Sequence, residues 1–305
     1  MTASTKARLQ LIGAALLFST GGAAIKAAAF TGWQIASLRS GFAALALLLM
    51  APGARRGWTL RQAQGKLLRQ AQGGLLQAVL VGFAYAACLT LFVLANRLTT
   101  SANTIFLQST APLYLLILAP WLLKEPVRRQ DVGFMLAVAF GLTLFFVGVE
   151  PPAATAPDPV QGNLLALVSG FCWALTVLGL RWLTAREGRG SPMAAVTSGN
   201  ITAFLVTLPF ALPLGAHSIS DWSVLVYLGV FQIALAYVLV TSAISQIPAL
   251  EASVILLIEP ALNPVWAWLV HGEVPGTWAM AGGAIILVAT TAKSWTERRV
   301  EAPVT

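Results

Sequence analysis

Long apolar runs alternate with short polar interruptions along the whole chain. Ten such runs begin near Leu9, Trp33, Gly73, Ala102, Val132, Gly162, Met193, Trp222, Ala252 and Trp278. Each approaches the roughly 20 residues that a helix needs to cross the hydrocarbon core of a bilayer. Within each run apolar residues follow one another rather than alternating with polar ones, which argues against membrane β-strands. The longest polar interruption runs from Pro52 to Gln72, so no interval is long enough to hold a soluble domain. The pattern predicts an all-α integral membrane protein with ten transmembrane helices.

Composition agrees. Hydrophobic residues make up 57% of the 305 positions and charged residues 10%, against about 25% charged in an ordinary globular domain. The first run follows Lys6 and Arg8, as a cleaved signal peptide does, but small and apolar residues continue to Phe30. That length suits a retained first span better than a cleavage site.

The net charge of +8 would suit a polyanionic partner. The positions of the charges exclude that reading. With the N-terminus in the cytoplasm and ten spans, only Lys26, Arg39 and Arg97 of the 19 basic residues fall toward the outside. This is the positive-inside bias, and it reports orientation, with both termini cytoplasmic, rather than nucleic-acid binding. The segment "EPPAATAPDPV" carries acids and no base and falls outside. An inner, cytoplasmic membrane is the expected location.

Chemistry that would need a cofactor has no visible parts. Cys88 and Cys172 lie inside predicted spans, where they serve as small packing residues rather than a disulfide. His217 and His271 stand alone, without the spacing of a zinc site. No phosphate-binding loop, dinucleotide glycine fingerprint or HExxH motif is present, so neither cofactor nor metal is expected.

The chain repeats a layout. Pro112 and Pro260 lie 148 residues apart, as do Glu125 and Glu273, and each proline–glutamate pair frames a mostly apolar stretch. The expected domains are two five-helix repeats, 9–149 and 161–296. Five is odd, so the second repeat enters the membrane inverted, with Glu125 at the cytoplasmic face and Glu273 at the external face. Inverted repeats are a construction of secondary transporters, with the substrate site near the midplane between the halves.

The stretch "LIEPALNPVWAWLVHGEVP" focuses the site. Pro260 and Pro264 free backbone carbonyls of a preceding turn, and in hydrocarbon such groups must face protein or water. Glu259 makes the same demand, because a carboxylate at membrane depth is costly and points inward. It therefore serves either as a functional group on the transport path or as a buried partner of Lys26 or Arg39. Pro112, Pro260, Pro264, Glu125 and Glu273 are the candidate helix-break and gating positions. Tyr85, Trp173, Tyr237 and Trp266 are candidate cavity walls for an apolar side chain. Asn103, Gln108, Asn263 and Gln232 offer neutral hydrogen bonds suited to a zwitterion. The small residues Gly162, Ala166, Gly170 and Ala174, and likewise Gly133, Ala137 and Gly141, recur every four positions and read as close helix contacts.

Ten spans, paired five-helix halves and the recurring proline–glutamate frame resemble the drug/metabolite transporter superfamily, specifically its EamA-domain members. Trp173 within a span and Arg39 early in the second span match that family's layout. Phe18 departs from it, standing where many members carry Trp. The resemblance implies alternating-access transport and no enzymatic activity. Its YddG-like group implies export of neutral, aromatic or aliphatic, amino acids. The alternatives are a sugar-phosphate or drug transporter of the same superfamily, with Lys26, Arg39 and Arg97 as the relevant cations, and more distantly a membrane-embedded lipid-modifying enzyme. The expected partners are a small-molecule substrate and membrane lipid; the sequence leaves the oligomeric state open and is compatible with a monomer.

Overall fold

The computed structural model describes residues 3–50, 75–122, 129–147, 149, 151–184, 192–243, 246 and 249–301. Among these residues the chain is helical and carries no strand. The helices are α1 (Ala3–Ser19), α2 (Gly21–Ala27), α3 (Gly32–Met50), α4 (Leu75–Leu98), α5 (Ser101–Gln108), α6 (Ala111–Leu122) and α7 (Arg129–Val147). They continue with α8 (Pro159–Thr184), α9 (Pro192–Ala211), α10 (Ile219–Ala243), α11 (Ala249–Leu256), α12 (Ile258–His271) and α13 (Thr277–Glu301).

Six described stretches are long and apolar enough to cross a membrane: Ser4–Ala27, which joins α1 to α2, then α3, most of α4, most of α8, α9 and α10. The other apolar runs fall on the pairs α5–α6 and α11–α12 and on α7 and α13. Large apolar side chains stand on the outer surface: Leu49, Leu136, Phe140, Phe210 and Val288 are all well exposed. A soluble protein rarely shows that much contiguous apolar surface, whereas in lipid it costs nothing.

Small residues set the helix spacing. A Cβ added at Gly162 would sit 2.7 Å from the Thr99 amide nitrogen, and one at Gly170 would sit 3.1 Å from the Gln108 carbonyl. Ala166 and Ala174 on the same face are fully buried. This face seats α8 against the corner between α4 and α5. In α7, Gly141 meets Gly282 of α13 with similar closeness. Gly133 corrects the reading of its own series, because a Cβ added there would meet no other helix within 4 Å and the residue is exposed.

Three helix pairs are breaks in what the apolar pattern reads as single spans. Between α1 and α2 the Ser19 and Thr20 hydroxyls turn back to the carbonyls of Leu16 and Leu17, at 2.7 and 2.8 Å. Between α5 and α6, Ser109 and Thr110 do the same to Ile105 and Leu107. Hydroxyls that satisfy local carbonyls let a helix stop inside the membrane. The third break is at Leu257, between α11 and α12.

That third break corrects the reading of Pro260. Pro260 does not distort a running helix. It lies in the first turn of a new one, where a missing N–H costs nothing because no intrahelical acceptor exists there. Pro112 occupies the corresponding first turn of α6. Pro264 is buried inside α12. Glu125 lies outside the described residues. A further irregularity is the π-helical middle of α10, Tyr227–Leu235. Such widened turns accompany functional sites, and here Gly229 lets α10 approach α3, since a Cβ on it would meet the Arg39 carbonyl at 2.7 Å.

Candidate functional site: a cavity at the helix breaks

All four irregularities feed one cavity of about 210 Å³. Phe18 reaches it from the end of α1, Gln108 and Ser109 from the end of α5, Gln232 and Ile233 from the π-helical segment, and Leu256, Glu259 and Pro260 from the α11–α12 break. Arg39 of α3, Tyr85, Cys88 and Leu89 of α4 and Trp173 of α8 complete most of the wall.

One wall is aromatic. The Tyr85 and Tyr237 rings meet edge to face at 5.6 Å between centroids, and Phe18 meets Tyr237 at 5.2 Å in the same manner. Trp173 lies 6.4 Å from Tyr85. Edge-to-face contacts fix the rings against one another, so this wall is a preformed apolar surface rather than a loose one.

The rest of the wall is polar and incompletely satisfied. Arg39 is 1% exposed. It donates one long bond, 3.4 Å, from Nη2 to the Leu89 carbonyl, and its Nε has no partner. The Tyr85 hydroxyl and Gln232 Oε1 are also buried without a hydrogen bond. Among the described residues Glu259 forms neither an ion pair nor a hydrogen bond, and it pairs with neither Lys26 nor Arg39. Gln108 is held: its Nε2 donates to Ser169 Oγ at 2.9 Å, and that hydroxyl donates to the Cys88 carbonyl at 3.0 Å. Leaving a buried polar group unpaired costs about 1–3 kcal/mol, more for a charged one. Several such groups around one space mark it as a place for a polar guest.

The cavity is closed off at one end of the bundle. Lys26 of α2 forms an ion pair with Glu273, which follows α12, at 2.7 Å; both side chains are at most 5% exposed. Lys26 Nζ also donates to the Thr99 carbonyl at 2.9 Å and to the Thr155 carbonyl. Glu273 Oε1 accepts the Ser101 amide at 2.5 Å, at the start of α5. His271 contacts the Ala23 carbonyl at 2.8 Å. One buried cation and one carboxylate thus tie α2, the α4–α5 corner, the 151–158 segment and α12 together. At the opposite end of the first span, Arg8 and Glu251 form an exposed pair at 2.5 Å. The cavity lies toward that end: its lining residues Val240 and Leu256 pack against the apolar cluster of Ala7, Leu11, Ala243 and Ala252.

The structure therefore brings Glu259, Trp173, Tyr85, Tyr237, Gln108 and Pro260 around one cavity and sets Asn103, Asn263 and Trp266 outside it. Asn103 donates to Asn163 Oδ1 and Thr99 Oγ1 beside a second pocket, of about 180 Å³, that Glu273 and Thr155 also line. Trp266 donates Nε1 to Ser19 Oγ at 2.9 Å and borders a mostly apolar groove between α2, α10 and α12. Asn263 is buried in the seal. Two cavity residues were read differently from sequence. Arg39 was sorted by side of the membrane, which says nothing of depth, and Cys88 was read as packing.

Membrane-crossing helices broken around a polar cavity, sealed at one end by buried charges, make a solute carrier. The chain belongs to the EamA-like transporter family, whose model matches residues 5–147 and 160–293; it is a multi-pass membrane transporter and not an enzyme. It is 26% identical over 292 residues to the pseudopaline exporter CntI of Pseudomonas aeruginosa, covering 93% of this chain and 94% of that one. It is 26% identical over 186 residues to the threonine/homoserine exporter RhtA of Escherichia coli, covering 60% of this chain and 59% of that one. The uncharacterized transporter YetK of Bacillus subtilis is 29% identical over 174 residues, and there the chain spans about half (51%) of the relative's length and 55% of its own. A protein crystal structure with 18% identity superimposes with a TM-score of 0.60 over 98% of this chain and 99% of its own, which shows a shared fold.

Proposed function

We propose that the protein is a secondary transporter of the bacterial inner membrane that exports small neutral amino acids by alternating access. The observation that carries the reading is that Arg39 and Glu259 line one cavity and that, among the described residues, neither forms an ion pair with the other or with any other charge. A zwitterion supplies both missing partners: its carboxylate reaches the Arg39 guanidinium and its ammonium reaches Glu259. The aromatic wall of Tyr85, Tyr237, Trp173 and Phe18 then holds an apolar side chain. The exporters CntI and RhtA, similar to this chain at 26% identity, support outward transport of small metabolites.

The accompanying architecture is ten spans in two inverted five-helix repeats, 9–149 and 161–296. The placement of Pro112 and Pro260 in the first turns of α6 and α12 supports it. With the N-terminus cytoplasmic, the Lys26 end is external and the present conformation is closed to the outside. A reporter after Glu301 then reads cytoplasmic and one inserted at Thr155 reads external; both on one side would refute this topology. Transport of sugar phosphates is disfavoured, because of Lys26, Arg39 and Arg97 only Arg39 lines the cavity, where it faces the carboxylate of Glu259, while Lys26 is neutralised by Glu273 and Arg97 bonds the Ala28 carbonyl.

The test is uptake by purified protein in proteoliposomes. Leucine, methionine or phenylalanine should be carried without ATP. Transport confined to phosphorylated or cationic compounds would reject the substrate class.

A further inference from the structure

Between the cavity and the Lys26–Glu273 pair lies a layer of polar groups with no protein partner. Asn263 is fully buried, yet neither its Nδ2 nor its Oδ1 makes a hydrogen bond. Ser101, fully buried at the start of α5, leaves its Oγ unpartnered. Both side chains press on the same backbone spot. A Cβ at Gly22 would lie 2.6 Å from Asn263 Oδ1 and 2.8 Å from Ser101 Oγ. One residue earlier, a Cβ at Gly21 would lie 2.8 Å from Nε2 of Gln232, which itself lines the cavity.

The first two residues of α2 therefore act as a side-chain-free cover over polar groups from three other helices. Packing alone does not require those groups. Apolar side chains of the same size would fill the contact without the cost of about 1–3 kcal/mol for each unpaired polar group. In hydrocarbon surroundings such a cost is harder to relieve, because unpaired polar groups find no water there. The groups also form a series: Gln232 at the cavity, Asn263 and Ser101 in the seal, then Asn103, whose Oδ1 is likewise unpartnered, beside the pocket beyond Glu273.

We propose that Asn263 and Ser101 form a second substrate-contact site, covered by Gly22 in this conformation, that takes the ammonium and carboxylate of an amino acid when α2 moves away from α5 and α12. The site rests on the amino-acid reading given above and deepens it. The Arg39–Glu259 cavity receives substrate from the Arg8 side. The Asn263–Ser101 layer meets it on the Lys26 side, where the carboxamide offers a donor to the carboxylate and an acceptor to the ammonium. The two sites are used in different conformations, so their contributions separate by side.

The experiment compares right-side-out and inside-out membrane vesicles carrying the full chain, with labelled leucine as the probe. Asn263→Ala should raise KM on the order of tenfold when leucine is presented at the Lys26 side, the loss of a hydrogen bond to a charged group. At the Arg8 side KM should stay within about twofold of wild type, a difference under half of a tenfold step in free energy. Glu259→Gln should show the reverse asymmetry, with KM raised at the Arg8 side. Ser101→Ala removes a single oxygen and should shift KM in the same one-sided way, which decides the matter if Asn263→Ala does not yield folded protein. A wild-type carrier whose Asn263 and Ser101 variants change equally at both sides, or at neither, would overturn the site while leaving the amino-acid reading intact. Wild-type vesicles that move no leucine would reject the amino-acid reading and this ligand with it.

Discussion

Two buried places in this protein each contain a cation and a carboxylate, and they are built in opposite ways. At the seal, Lys26 and Glu273 touch at 2.7 Å, and among the described residues the further bonds of their side chains go to backbone. In the cavity, Arg39 and Glu259 share a wall and do not pair. Low dielectric makes both arrangements consequential, because a charge there is either compensated or expensive. The seal is compensated by the protein itself, so its charges hold helices together. The cavity is left to be compensated from outside, so its charges are available to a guest.

The contrast can be broken first at the seal. Lys26→Met leaves Glu273 buried without its cation, and removing one partner of a buried pair costs about 3–5 kcal/mol. A large fall in the thermal unfolding midpoint of the detergent-purified protein is expected. Lys26→Met combined with Glu273→Gln should recover much of that loss, because no uncompensated charge remains. Equal, additive losses would mean that the two residues do not act as a pair.

The cavity should respond in the opposite sense. Glu259→Gln keeps the volume and removes a carboxylate that has no fixed partner, so the unfolding midpoint should hardly move. Transport of leucine should nevertheless fall on the order of tenfold or more, the cost of losing one charged hydrogen bond. A destabilised Glu259→Gln protein would place this residue with the seal. The smallest effect belongs to the exposed pair at the other end. Arg8→Ala should leave both unfolding and transport nearly unchanged, because solvent screens such pairs. A marked change there would mean that the Arg8 end is also latched.

Part of this was legible in the sequence. The apolar runs fall on the helices, since an apolar run of bilayer length has few alternatives to a helix. Glu259 stood out because a carboxylate within an apolar run demands an explanation. The breaks were harder. The stretch "STGG" at Ser19–Gly22 carries the signal, two hydroxyls able to bond their own helix followed by two glycines, but its apolar surroundings read as one continuous span. Asn263 shows why the polar residues could not be sorted by type. It lies one turn beyond Glu259 on the same side of α12, yet that single turn carries it out of the cavity and into the seal. Arg39 shows the limit of charge counting: the positive-inside pattern assigns a side and leaves depth open.

The central claim is that Arg39 and Glu259 hold opposite ends of one zwitterion. The direct measurement is competition against leucine transport in proteoliposomes by leucinamide, which lacks the carboxylate, and by N-acetyl-leucine, which lacks the ammonium. Wild-type protein should prefer leucine to both. Arg39→Gln should lose the preference over leucinamide and keep the preference over N-acetyl-leucine, and Glu259→Gln should do the reverse. Variants that discriminate among the three compounds as wild type does, or that lose both preferences together, would contradict it.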